Sequence, residues 1–223
     1  ADTLPALSIT VFDRARLAPA HGLAVSARQL ENQHLVACIT SDGTLSSLRL
    51  KTAPNATGAA LPAEGREALA GAGNQLWAYP ADKPRDWDAW DIEADYAERA
   101  EALASPHSIE VLQDGPHLAS IRVLHRWRSS TVEQVYALAA NARQLEIRTR
   151  IDWHERRVLL RALTPVAVRA AHATFECAYG VVQRPTHANT PWDAAMFEAA
   201  AHRFIDLSEP GFGVALLNDA KYG

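Results

Sequence analysis

The sequence is poor in cysteine, in methionine and in long apolar runs. It has 2 cysteines and 1 methionine in 223 residues. No apolar stretch approaches the roughly 20 residues that a membrane-spanning helix needs. Two cysteines cannot build a disulfide framework, and they show no zinc-ligand spacing. These absences predict a protein without a membrane partner and favour a reducing, cytoplasmic location.

The sequence also lacks an excess of positive charge and a compact catalytic motif. Its formal net charge is -4, which gives no electrostatic reason to bind nucleic acid or an anionic membrane. The nine histidines are scattered, and neither a glycine-rich phosphate loop nor a Gly-x-Ser-x-Gly elbow occurs. We therefore expect no catalytic residue, no metal ligand and no cofactor in this chain.

Short alternating runs separated by turn residues make up most of the chain. In 144–153, apolar side chains alternate with charged ones, the period of two that a half-buried antiparallel strand requires. Asp42-Gly43 lies between two such runs and predicts a hairpin. The predicted strands are 7–12, 35–40, 45–50, 74–79, 108–112, 118–127, 131–139, 144–153, 158–168, 173–183 and 213–217.

Helical patterns are few, and only 96–103 and 193–201 could form short helices. The pattern as a whole predicts an all-β protein, a large antiparallel two-sheet β-sandwich with one or two short helices.

The segment 83–91 holds two tryptophans among aspartates: Trp87, Asp88, Trp90 and Asp91. Tryptophan rings stack on the apolar face of a pyranose, and carboxylates accept hydrogen bonds from its hydroxyls. These residue types therefore favour carbohydrate binding. The alternative is a buried tryptophan pair with solvated aspartates between the rings.

The segment 183–193 concentrates polar residues in a proline-punctuated loop, among them Arg184, His187, Asn189 and Asp193. Loops on rigid sheets often carry function. The alternative is a long connection whose side chains cap their own backbone.

The segment 152–157 places His154 beside Glu155. This pair could serve acid–base chemistry or bind a metal, but its spacing is not that of a metalloprotease helix. A strand end followed by a solvated turn is the favoured interpretation.

Four ordered blocks of the sequence together resemble the glycoside hydrolase family 38 α-mannosidases of the cytosolic and bacterial type. The last block, 206–219 followed by 221–223, is the most specific of them. Met196 stands where arginine is common in the family. The other blocks are 74–76 with 82–84 and 87–92, then 152–156, then 184–190 with Trp192-Asp193 and Phe197-Glu198.

The resemblance implies a galactose mutarotase-like supersandwich that packs on a catalytic barrel. In this family the barrel supplies zinc and the nucleophile, and terminal α-mannosides are hydrolysed with retention. We expect residues 1–28 to form a linker and a leading strand, and residues 29–223 a β-sandwich domain truncated at its C-terminus. The expected partners are an α-mannoside, the enzyme's own barrel and a second copy in a homo-oligomer.

The loops are expected to face the barrel and the mannose, although they could instead hold only the domain interface. The expected substrate-binding residues are Trp87, Asp88, Trp90, Asp91, Arg184, His187, Asn189 and Asp193.

Two other functions remain open. One is a stand-alone carbohydrate-binding module of the same fold. The other is an aldose-epimerase-like enzyme, for which His187 and Glu198 would have to face one cleft.

Overall fold

The chain folds into antiparallel β-sheets. The computed structural model describes residues 22–51, 65–80, 84, 86–87 and 91–219, and four sheets are found among them. The predicted all-β class is therefore confirmed. No helix in these ranges has the length and apolar character that a membrane crossing requires. The predicted strand at 7–12 lies outside the described residues.

The first sheet is a five-stranded meander in the order β1-β2-β3-β4-β5. Gly43 takes a positive φ of 82° in the hairpin that joins β3 to β4, as the Asp42-Gly43 signal predicts. The strands are β1 (Ala24–Ser26), β2 (Gln29–Glu31), β3 (Leu35–Ile39), β4 (Leu45–Leu50) and β5 (Arg66–Glu67).

The second and third sheets interleave along the chain. The third contains β6 (Gln75–Pro80) and β7 (Glu101–Ala102), and a later strand, β12 (Val158–Leu163), joins it in the order β12-β6-β7. The second has the order β11-β10-β9-β8. Its strands are β8 (Pro106–Asp114), β9 (Leu118–Trp127), β10 (Ser130–Ala139) and β11 (Glu146–Asp152).

The fourth sheet has the order β14-β13-β15-β16. The prediction of one strand over 173–183 is wrong, because the chain turns at Ala178 and Tyr179 and pairs back on itself. Tyr179 takes a positive φ of 64° in that turn. The strands are β13 (His172–Cys177), β14 (Gly180–Pro185), β15 (Phe204–Glu209) and β16 (Phe212–Leu217).

Both predicted helices are shorter than expected. Tyr96–Arg99 is a single 3₁₀ turn that leads directly into β7. The second helix, α1 (Pro191–Ala195), ends before the alanines at 199–201. Proline favours the first turn of a helix, so α1 begins two residues earlier than the alanine content indicates.

One face of the second sheet forms the main core with the first sheet. Ile121, Val123, Tyr136 and Leu138 pack there against side chains of β2, β3 and β4, and all four are fully buried. Farther along β10, Val132 belongs to a second cluster with Leu76, Ala78 and Leu103. The same face of β10 therefore covers two other sheets, as the predicted supersandwich requires.

A buried polar network crosses this core. The Tyr136 hydroxyl donates to the Gly43 carbonyl at 2.8 Å and accepts from Asn74 Nδ2 at 2.6 Å. Gln134 Oε1 also accepts from Asn74 Nδ2, at 3.1 Å. Burial raises the pKa of Tyr136 to about 12, so its hydroxyl stays protonated and keeps donating.

We expect Tyr136→Phe to destabilise the fold by about 1–3 kcal/mol, because it leaves a buried carbonyl and a buried amide without their partner. Urea-induced unfolding measures this change. Tyr179→Phe is the matched control, since Tyr179 is fully exposed. Equal free energies of unfolding for the two variants would contradict the role given to the network.

Stability should also depend on the protonation of His125. This residue is 3% exposed, its Nδ1 has no hydrogen-bond partner, and burial lowers its pKa. The unfolded chain binds the proton more tightly, so stability should fall as the pH drops below about 6.5. His125→Gln should flatten this fall between about pH 7 and pH 5, whereas the exposed His107→Gln should not. Denaturant titrations at several pH values test the difference, and parallel curves for wild type and His125→Gln would contradict it.

Candidate functional site

The Arg184 loop, residues 184–198, starts where β14 ends. The Thr186 amide donates to the Ala171 carbonyl at 3.0 Å, and its hydroxyl donates to the Ala170 carbonyl. These bonds fix the start of the loop to the segment before β13. Arg184, whose position in β14 is opposite Ala173, therefore projects from a rigid strand.

A capping box closes the middle of this loop. The Thr190 hydroxyl accepts from the Asp193 amide at 3.1 Å, and Asp193 Oδ2 accepts from the Thr190 amide at 3.1 Å. This reciprocal pair is a standard helix start, and Pro191 follows it in the first turn. Asp193 therefore has a structural role, as the self-capping alternative predicts.

A surface pocket of about 300 Å³ lies within the Arg184 loop. This volume is at the lower end of the range of small-molecule sites. His187 Nδ1 lies 3.6 Å from Asp193 Oδ2 at the pocket. Asn189 is exposed and does not contribute to the lining. The lining residues are Arg184, Pro185, Thr186, His187, Ala188, Asp193, Ala194, Met196 and Phe197.

The pocket combines hydrogen-bonding groups with apolar walls. Arg184 supplies a guanidinium and His187 an imidazole, while Met196 and Phe197 supply apolar area. Arg184 Nη1 lies 3.7 Å from the Met196 sulfur. Flat apolar surface with a few fixed polar groups suits a sugar. Among the described lining residues, Asp193 is the one carboxylate, whereas glycoside hydrolysis requires a pair of carboxyl groups.

The tryptophan–aspartate segment has two described site residues, Trp87 and Asp91. Trp87 is 74% exposed and takes a positive φ of 55°, so the buried-pair alternative is wrong for this residue. Its carbonyl accepts from the Asp91 amide at 3.0 Å. Neither residue is among those lining the pocket. Asp88 and Trp90 lie outside the described residues.

An aromatic contact connects the chain beyond this segment to the Arg184 loop. The 3₁₀ turn follows Asp91 within a few residues, and its Tyr96 ring stacks on Phe197 with centroids 6.1 Å apart. Arg161 of β12 donates to the Tyr96 hydroxyl and to Glu198. The 3₁₀ turn and the end of the Arg184 loop therefore meet on the outer face of the third sheet.

The segment 152–157 is a strand end and a turn, as the favoured interpretation predicts. Glu155 Oε1 accepts from the Ser129 amide and from the Ser130 hydroxyl, both at 3.0 Å. Its carboxylate thus holds the turn between β9 and β10. His154 Nε2 lies 3.0 Å from Asp152 at the exposed end of β11. These contacts account for the segment without a catalytic role.

The epimerase-like pair is not assembled. His187 lines the pocket, but Glu198 is paired with Arg161 and is not part of the lining. Within the described ranges, no group of three or more histidine, cysteine, aspartate or glutamate side chains could hold a metal ion.

Arg161 and Tyr96 are not among the site residues that the sequence predicts. One signal could have revealed the first, because Arg161 is the single charge in the apolar run Val158–Leu163. A lone charge in such a strand requires a partner. No sequence pattern marked Tyr96 as a site residue, since its neighbours along the chain do not indicate which aromatic ring it will contact.

Comparison with known proteins gives several relatives. The chain is 39% identical over 189 residues to human "Alpha-mannosidase 2C1". The aligned region covers 83% of this chain and 18% of the human protein. It is 32% identical over 202 residues to "Alpha-mannosidase G" of Dictyostelium discoideum, and this aligned region covers 87% of the chain and 17% of that relative. The chain thus spans less than a fifth of the length of these relatives.

A solved structure and a family profile complete the comparison. The crystal structure of an alpha-mannosidase from Enterococcus faecalis V583 matches with a TM-score of 0.65 and 14% identity, over 86% of this chain and 23% of that one. At this identity the match concerns the fold alone. The profile of the "Glycosyl hydrolases family 38 C-terminal domain" matches residues 30–223. The chain therefore belongs to glycosyl hydrolase family 38 and carries the C-terminal domain of that family.

Proposed function

We propose that this chain is the non-catalytic β-sandwich segment of an α-mannosidase that hydrolyses terminal α-mannosides with retention. It packs on a zinc-containing catalytic barrel and helps to shape the sugar pocket, and so takes part in mannose metabolism. The observation that carries this proposal is the pocket of the Arg184 loop, whose described lining combines hydrogen-bonding groups and apolar area with a single carboxylate that caps a helix. A retaining mechanism needs a pair of carboxyl groups about 5 Å apart, and we assign that pair to the catalytic barrel.

Arg184 and His187 are the residues proposed to contact the sugar. Arg184 is held by a β-strand, and His187 projects from the loop beside Asp193. Their N–H groups can donate to the oxygens of a mannoside. Phe197 offers the apolar surface that a pyranose face needs. Trp87 and Asp91, together with Asp88 and Trp90, are proposed as further sugar-binding residues.

The fourth sheet supports packing on another domain. The register places Phe175 opposite Val182 and Ile205, and places Ile205 opposite Leu216, so one face of the sheet is apolar. Leu216 is 64% exposed. Exposed apolar patches mark sites of association. The barrel is the proposed occupant of this face, and an isolated chain should use it to self-associate into a homo-oligomer.

The zinc proposed for the complete enzyme does not fit the described part of this chain, which has no suitable ligand group. We assign the metal to the catalytic domain. The cytoplasmic location is also a proposal, supported by Cys38 and Cys177, which are both free thiols. Unpaired cysteines are typical of reducing compartments.

A stand-alone carbohydrate-binding module is the second candidate. Two exposed tryptophans favour it, since Trp87 is 74% and Trp192 82% exposed. Such a module would bind mannose without a barrel, and sugar would then quench the tryptophan fluorescence of the isolated chain. Absence of quenching in the isolated chain would favour the first proposal.

In the complete enzyme, His187→Ala and Arg184→Ala should each lower kcat/KM for a nitrophenyl α-mannoside at least tenfold. Such a loss corresponds to about 1.4 kcal/mol of transition-state stabilisation. Steady-state kinetics measure it, with the exposed His107→Ala on β8 as the control. Wild-type kinetics in both pocket variants would refute the assignment of the pocket.

The isolated chain should not hydrolyse a nitrophenyl α-mannoside, with or without added zinc or cobalt, because one carboxylate cannot perform the reaction. The assay needs a matched amount of the complete enzyme as its positive control. Metal-dependent turnover by the isolated chain would overturn the non-catalytic assignment.

A further inference from the structure

Arg161 is a charged residue on a largely apolar face of the third sheet. Its register partner in β6 is Trp77, and the next pair on the same face is Leu159 with Tyr79. This is the outer face of the third sheet, because Leu76, Ala78 and Leu160 point into the second core cluster. The Arg161 side chain is 26% exposed. A partly covered charge on an apolar face is costly unless it is paired.

The guanidinium of Arg161 binds two chain segments at once. Nη1 donates to the Tyr96 hydroxyl and to Glu198 Oε1, and Nη2 donates to Glu198 Oε2 at 3.1 Å. It also lies 5.3 Å from the centre of the Tyr96 ring. The two-pronged contact uses the planar geometry that arginine has and lysine lacks. Arg161 therefore connects β12, the 3₁₀ turn and the end of the Arg184 loop.

Tyr96 links Arg161 to a residue that lines the pocket. Its ring lies between Tyr79, with centroids 5.0 Å apart, and Phe197, with centroids 6.1 Å apart. Tyr79 is 5% exposed and anchors the stack on the sheet. Burial raises the pKa of the Tyr96 phenol, while the nearby Arg161 charge acts in the opposite direction. Phe197 is the end of the stack that lines the pocket.

The segment that carries Phe197 has no regular secondary structure, since residues 196–200 form neither helix nor strand. Phe197 is 44% exposed. The Tyr96 ring contacts Phe197 on one side, and the neighbouring Glu198 is held by Arg161. At the start of the segment, the Met196 amide donates to the Asp193 carbonyl at 3.1 Å. Arg161, which does not itself line the pocket, is therefore one of the groups that position this wall.

We infer that Arg161 is a positioning residue for the sugar pocket, acting with Glu198 and Tyr96 to hold the Phe197 wall in place. This inference rests on the proposed function of the Arg184 loop. Arg161 acts on the bound mannoside through Phe197 and does not touch it. Loss of the contact should weaken ground-state and transition-state binding equally, and so raise KM while kcat is retained.

The test uses the complete enzyme with a nitrophenyl α-mannoside. Arg161→Met should raise KM about fivefold or more with kcat changed by less than about twofold. Glu198→Gln, which keeps the shape of the side chain, should raise KM in the same direction and remains informative if Arg161→Met fails to fold. Arg148→Met is the matched control, because Arg148 makes the same two-pronged contact with Glu146 on the exposed face of β11.

A double-mutant cycle separates positioning from general stability. If Arg161 acts through Phe197, Arg161→Met should change KM by less than about twofold in a Phe197→Ala background. A full and independent effect in that background would overturn the inference. The inference would also be overturned if Arg161→Met and Glu198→Gln both had the wild-type KM while Arg184→Ala still weakened binding. Wild-type kinetics in Arg184→Ala and His187→Ala as well would instead show that the proposed function had failed, and the inference with it.

Discussion

Burial of one face of β10 is the constraint on which the other elements of the fold depend. Tyr136 and Leu138 close the core with the first sheet, and Val132 closes a second cluster with the third sheet. A strand that serves two sheets must keep its register, because a slip by one residue would turn its apolar side chains to the other face. The Tyr136 hydroxyl adds a directional requirement, since its bond to Gly43 forms in one register only.

The candidate site depends on this core indirectly. The second cluster holds the inner face of the third sheet, which leaves Tyr79 and Arg161 on the outer face. On that face the 3₁₀ turn and the Arg184 loop come together. A pocket wall built by an irregular segment thus takes its position from strands packed on a rigid core. This is the usual arrangement in which loops carry function and sheets supply the geometry.

The fourth sheet differs from the other three. Phe212, which is 9% exposed, is its one buried apolar residue among those described. Its contacts with the first sheet include the bond of Arg66 to Glu209 and the Arg66 guanidinium 3.9 Å from the centre of the Phe212 ring. A sheet with so little of its apolar face covered gains little from burial, which agrees with the proposal that the barrel covers that face.

The sequence by itself determined the all-β class, the hairpin at Asp42-Gly43 and the family, because alternation, turn residues and ordered motifs are local properties of the chain. It could not separate β13 from β14, since Ala178 and Tyr179 are not typical turn residues. It marked the Arg184 loop but not its partners. Only the tertiary structure decided that Trp87 is exposed, that Arg161 pairs with Tyr96 and Glu198, and that Tyr96 stacks on Phe197. The contacts of Arg161 and Tyr96 join residues far apart in the chain, and their energies depend on distance and burial, which a linear pattern does not contain.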